Sequence, residues 1–226
     1  MQFINTLYFF AFYFLFLYLS GSFLHKDYGC SMDIKKVCVY CASSNQTDQS
    51  YLDAATDLGK ILAENNISIV YGGGGAGSMG RVANGALENG GKVYGIIPKF
   101  MIDLEWGHKG ITELKIVDTM HERKHEMIQG TDAVIALPGG SGTLEELLEV
   151  ITWKRLGIYS KPIIIVNLNG FYNPLLQQFE NCIKGNFMSE LHGRIWSVVS
   201  QPEEVIDAIK NADEWPDDAR SYAALI

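Results

Sequence analysis

From residue 36 onward, short runs of β-branched and aliphatic residues alternate with longer stretches whose apolar residues recur at helical spacing. Uninterrupted apolar runs suit parallel strands buried on both faces, and a 3.6-residue period suits helices with one buried stripe. The pattern predicts strands over 37–42, 67–71, 92–97, 114–117, 133–137, 162–166 and 197–199. Helices are predicted over 50–65, 79–89, 121–130, 143–156, 173–184 and 203–210. Strand and helix in alternation define βαβ units, hence an α/β fold with a parallel sheet flanked by helices. In such sheets ligands sit beyond the carboxyl ends of the strands, so the loops that begin at Ala42, Gly72, Pro98 and Pro138 are the ones to read for chemistry.

The first 31 residues break this pattern. The run 7–19 is wholly apolar, yet no Lys or Arg precedes it and it falls short of the roughly 20 residues that span a bilayer. Met32 opens directly into the first strand, and is read as the start of the folded chain. The expected organisation is an apolar extension (1–31, a weak membrane signal if retained), one domain (32–210) and a polar tail (211–226).

The chain has 226 residues, 47% hydrophobic, which is enough for one substantial core. A formal net charge of −8 argues against a nucleic-acid groove, since phosphate backbones demand clustered Lys and Arg. Four cysteines are too sparse for a disulfide framework and fit reduced thiols in a cytoplasm. Cys38 and Cys41 form a C-x-x-C, but on a strand they point to opposite faces, which disfavours redox or metal chemistry.

Two glycine-rich loops follow predicted strands. The first runs Gly72-Gly73-Gly74-Gly75-Ala76-Gly77-Ser78-Met79-Gly80 into a helix, so its amides and the helix dipole suit a phosphate, with Gly73, Gly74 and Gly75 as candidate contacts. Its G-x-G-x-x-G also raises a dinucleotide site, but the loop follows the second strand, and the next strand ends in Ile97-Pro98 without an acid for a ribose hydroxyl. Glycines serving only a tight turn are the third reading.

The second loop joins the strand 133–137 to Pro138-Gly139-Gly140-Ser141-Gly142-Thr143-Leu144-Glu145-Glu146. Its glycines, the Ser141 and Thr143 hydroxyls and a helix N-terminus suit an anion, and the absence of G-x-x-x-x-G-K-[ST] disfavours a Walker-type NTPase. Helical spacing puts Leu144, Leu147, Leu148 and Ile151 on a buried stripe and Glu145, Glu146, Glu149 and Thr152 on the opposite arc. Thr143-x-x-Glu146 also reads as a capping box. Arg123 and Lys124, in Met120-His121-Glu122-Arg123-Lys124-His125-Glu126, are the cations available to a phosphate or to these acids; a solvated charge cluster is the plain alternative. His121 and His125 have metal-ligand spacing but no evident third ligand, so no metal is expected.

Taken together, Met120-His121-Glu122-Arg123-Lys124 and Pro138-Gly-Gly-Ser-Gly-Thr-Leu-Glu-Glu146, continuing to Thr152-Trp153, resemble the LOG family of cytokinin riboside 5′-monophosphate phosphoribohydrolases. The likeness runs from about Lys36 to Lys210 and takes in Cys41-Ala-Ser-Ser-Asn, the Gly72–Gly80 loop, Ile97-Pro98-Lys99 and Gly170-Phe-Tyr-Asn173. It implies a Rossmann-like, doubly wound α/β homodimer. The implied reaction is hydrolysis of the N-glycosidic bond of a nucleoside 5′-monophosphate to an adenine-type base and ribose 5-phosphate, with no metal or nicotinamide cofactor. The family's catalytic pair falls on Arg123 and Glu146. Its substrate contacts fall on Glu105, Lys124, Gly139, Gly140, Ser141, Gly142, Thr143, Leu144, Glu145 and Thr152. Ser141 departs from the Tyr usual in plant members, and Asp103–Gly110 departs from the plant wording, which bears on the preferred N6 substituent. A broader nucleoside monophosphate nucleosidase and a non-catalytic nucleotide or cofactor carrier on the same fold are the competing readings.

Overall fold

The computed structural model describes residues 33–102 and 107–216. Seven parallel strands form one sheet: β1 (Lys36–Tyr40), β2 (Ser68–Tyr71), β3 (Val93–Pro98), β4 (Glu113–Val117), β5 (Ala133–Ala136), β6 (Ile163–Val166) and β7 (Ser197–Val199), in the order β4-β3-β2-β1-β5-β6-β7. Every residue of β5 and β6 is buried, whereas the edge strands β4 and β7 are largely exposed. That gradient is why the central strands are continuous apolar runs in the sequence.

Six α-helices accompany the sheet among the described residues: α1 (Gln49–Glu64), α2 (Gly77–Glu88), α3 (Met120–Ile128), α4 (Ser141–Arg155), α5 (Asn173–Lys184) and α6 (Val205–Lys210). α1 and α2 pack closely because neither Gly59 nor Gly85 carries a side chain: a Cβ there would lie 2.2 Å from the carbonyl oxygens of Val82 and Thr56. On one layer of the core, Cys38 and Tyr40 of β1 meet Met127 and Ile128 of α3, Leu147, Val150 and Ile151 of α4, and Phe179 of α5.

Strand order reverses direction between β1 and β5, which are hydrogen-bonded neighbours in register Val37↔Ala133 to Tyr40↔Ala136. At such a switch point the two following loops diverge to opposite faces and leave a crevice between them. The loop after β1 begins at Cys41 and the loop after β5 leads through Pro138 and Gly139 into α4, so the fold itself sets where a ligand is received. The predicted element boundaries hold to within a few residues; the last predicted helix is in fact a short 3-10 turn (Pro202–Glu204) followed by α6.

One predicted face is corrected. Leu148 is 41% exposed, and the buried positions of α4 are Thr143, Glu146, Leu147, Val150, Ile151 and Lys154. The helix is rotated so that Val150 rather than Leu148 meets the sheet, and of the arc opposite the predicted stripe Glu146 is the member that is buried.

Candidate functional site

The crevice at the switch point holds a cavity of about 310 Å³, walled by Cys41 to Ser44 after β1, Met79 of α2, Met101, Met120 and Arg123 of α3, and Gly140 to Thr143, Glu145 and Glu146. α4 starts at Ser141 with Gly140 as its N-cap, and no side chain bonds to the cap. Thr143 therefore lies inside the helix rather than capping it, and the capping-box reading of Thr143 and Glu146 is not what forms. The first amides of a helix have no acceptor within it, so an uncapped terminus at a cavity wall offers an oxyanion main-chain donors and a favourable dipole. A Cβ added at Gly140 or Gly142 would meet nothing within 4 Å, which leaves that wall open. Gly139 differs, because a Cβ there would fall 2.2 Å from the Thr143 hydroxyl oxygen.

Glu146 and Arg123 are both buried, at 6% and 3% exposure, and form an ion pair at 3.7 Å. Burial of two opposite charges is tolerable only when each is compensated. Arg123 gains that compensation from the main chain: its Nε donates to the Ile96 carbonyl at 3.1 Å and a terminal nitrogen donates to the Gly72 carbonyl at 3.2 Å. Gly72 has to be glycine, since a Cβ would lie 2.1 Å from the same guanidinium nitrogen. α3, which carries Arg123, is started by Thr119, whose hydroxyl oxygen accepts from the Glu122 N–H at 3.1 Å. The negative field of Glu146 extends beneath the site: burial, and then that carboxylate, push the Cys38 thiol well above its usual range.

Lys124 does not join the cavity wall. It is 6% exposed and donates to both Glu145 and Glu149, the latter at 3.0 Å. Burial works against its charge, but the two carboxylates outweigh burial and raise its pKa. Leu144 packs against the core, and the exposed Thr152 donates its hydroxyl to the Leu148 carbonyl at 2.8 Å, a full helical stretch away from Gly140. Glu105 lies outside the described residues.

The first glycine loop is packed largely against the protein itself. At the N-terminus of α2, the Gly77 amide donates to the Asn45 side chain at 2.7 Å and the Met79 amide to the Ala42 carbonyl at 3.0 Å, so both donors are already engaged. Gly73, with φ +82°, and Gly74 are buried, Gly73 beside Leu114 and bonded through its carbonyl to the His108 amide, Gly74 bridged to Gly107, and the Tyr71 hydroxyl donates to the Gly74 carbonyl at 3.1 Å. Gly75 is exposed on a separate, larger apolar cleft with Ile102 and Leu114. Gly170-Phe-Tyr-Asn173 acts as a brace: the buried Tyr172 donates its hydroxyl to the Leu137 carbonyl at 2.7 Å, fixing the strand end from which the second loop departs.

Ser43, Ser44, Met79, Met101 and Met120 line the cavity without having been named as site residues from the sequence. For the two serines the signal was available, since they directly follow the first strand at a topological switch. The methionines come from three separate segments and meet only in the fold. No group of three or more His, Cys, Asp or Glu among the described residues is placed to hold a metal.

Similarity to known proteins sharpens this. The chain is similar to molybdenum cofactor proteins of known structure from Chlamydomonas reinhardtii (20% identity, TM-score 0.61, 79% of this chain and 97% of that one) and Rippkaea orientalis (23%, 0.58, 80% and 98%), a likeness of fold. It is 46% identical over 168 residues to the cytokinin riboside 5′-monophosphate phosphoribohydrolase LOG of Oryza sativa (74% of this chain, 69% of the relative). It is 44% identical over 181 residues to the phosphoribohydrolase LOG3 of Arabidopsis thaliana (80% of this chain, 83% of the relative). Residues 79–209, more than half the chain, match the family described as possible lysine decarboxylase. On these grounds the chain belongs to that family, within its LOG branch.

Proposed function

We propose that the protein hydrolyses the N-glycosidic bond of cytokinin riboside 5′-monophosphates, releasing the N6-substituted adenine and ribose 5-phosphate. The observation that carries this reading is one carboxylate, Glu146, buried beside a cation on the wall of a cavity whose adjoining wall is an uncapped helix start. The relatives named above for this reaction are 46% and 44% identical to the chain over most of its length.

In this reading the 5′-phosphate rests on the amides of Ser141 to Thr143, and the anomeric carbon faces Glu146. As the bond from that carbon to the base nitrogen breaks, positive charge grows on the sugar. A fixed carboxylate stabilises it and orients the water that adds to the carbon. The water's oxygen bonds to carbon, its proton leaves, and the departing base takes one up. Arg123 keeps the buried acid ionised, and phosphate contacts distant from the broken bond contribute binding energy to the reacting geometry. Met79, Met101 and Met120 supply a deformable apolar wall suited to a base.

The test is release of free base from purified protein incubated with isopentenyl-AMP and, separately, AMP. Glu146→Gln is expected to lower turnover roughly 10²-fold or more, the scale of a lost acid–base or electrostatic group. Undiminished base release by that variant removes Glu146 from the mechanism, and equal rates on the two substrates favour the broader nucleosidase. The exposed Ile116 and Leu148 support the inference of a homodimer. Cys38, Cys41 and Cys182 stand as thiols rather than disulfides among the described residues, which suits the cytoplasm. No helix among the described residues is long and apolar enough to cross a membrane.

A further inference from the structure

At the other end of α4, thirteen residues and roughly 20 Å of helix beyond Ser141, a second cavity of about 250 Å³ opens between Lys154, Ile163 of β6, the stretch Gly193–Ser197 and Asn211–Asp213. Lysine is almost never fully buried unless paired. Lys154 is 2% exposed, yet no carboxylate among the described residues lies within ion-pairing distance of it. Its ammonium donates to the Lys161 carbonyl at 3.0 Å and stands 5.7 Å from the centre of the Trp215 ring. That leaves a three-proton donor with one hydrogen-bond acceptor among the described residues. Burial accordingly pulls its pKa down to about 8, against a partial lift from Asp213.

The surroundings repeat this imbalance. Arg194 gives its Nε to Asp213 at 2.8 Å, and its terminal nitrogens bond to nothing among the described residues. The indole Nε1 of Trp215 is buried without an acceptor among the described residues. Lys154 and Arg194 together carry one more charge than Asp213 neutralises.

We propose that this cavity is a second binding site, distinct from the crevice at the switch point, for a small oxyanion of phosphate or carboxylate type held by Lys154 and Arg194. The volume admits an inorganic ion or a short carboxylic acid beside the helix. An oxyanion there supplies an acceptor that Lys154 lacks and keeps the ammonium charged, next to the Trp215 ring that the ammonium faces. Asp213 opposes the ion but is itself bonded to Arg194, which limits the repulsion.

The experiment is a titration of the ¹⁵N-labelled full chain with inorganic phosphate and, separately, with acetate, following the Trp215 indole N–H signal, assigned through Trp215→Phe. A saturable shift is expected with at least one of the two, and which one responds identifies the class of ion. Lys154→Met should weaken the apparent affinity about 10-fold or more, as expected for one charge-assisted hydrogen bond. Its kcat/KM on the nucleotide should stay within about two-fold of the unaltered chain. Arg194→Gln, at an exposed position, should weaken binding less and serves where Lys154→Met does not fold. No shift with either ion, a shift that never saturates, or affinities unchanged in the variants that fold would overturn the proposal.

Discussion

The two glycine-rich loops are alike in sequence, each leaving a strand and entering a helix, but their glycines are required for different physical reasons. In the first loop the space is filled by the protein. A Cβ at Gly72 strikes Arg123, one at Gly77 strikes the Ser43 main chain at 2.5 Å, and one at Gly80 strikes the Gly75 carbonyl at 2.3 Å. In the second loop, positions 140 and 142 face open volume. The helix starts differ in the same sense: α2 has its leading amides bonded to Asn45 and Ala42, while α4 begins on a bare glycine at the cavity. A glycine-rich turn before a helix thus identifies close approach of something to the backbone. Whether that something is the protein or a ligand depends on residues far away in the chain.

Substitutions can break this distinction. The largest effect is expected from Gly72→Ala, because the new methyl displaces a guanidinium that is held by two carbonyls and paired with Glu146. Base release should fall by roughly 10²-fold, comparable to loss of an electrostatic group. A variant with near-normal turnover would show that Arg123 can be relocated without consequence. Gly77→Ala comes next. Its φ of +59° and the Ser43 contact predict a loss of about 1–3 kcal/mol of stability, seen as a Tm lower by several degrees, with activity per folded molecule retained. The smallest effect belongs to Gly142→Ala, which should leave Tm within about a degree. It should raise KM for the nucleotide a few-fold, through crowding of the phosphate position. If Gly142→Ala instead lowers Tm and leaves KM alone, the second loop is as structural as the first.

These differences explain what the sequence could and could not disclose. The strands were legible because a central parallel strand such as Ile163–Val166 has no solvent face, so burial is written directly as an apolar run. The helices were legible from their period. The facing of α4 was not, because Leu148 and Val150 are equally apolar and only the surrounding elements decide which is covered. For Glu146 the spacing left an exposed and a cleft-facing side open, and its burial at the cavity depends on Arg123, which lies in another helix. Likewise the uses of Gly73, Gly74 and Gly75 turn on Leu114 and Gly107, outside any local window. The residues offered Arg123 as a cation for the acids of the helix; that its partner is Glu146 came from resemblance, because spacing rules do not reach across that distance in the chain.

The tethering of Arg123 to the carbonyls of Ile96 and Gly72 has a kinetic corollary. A guanidinium fastened to the sheet has few rotamers left to lose, so the charge arrangement that meets the substrate exists before it arrives. Association should then resemble docking into a rigid mould, with single-phase binding transients, rather than a slow closing step after encounter.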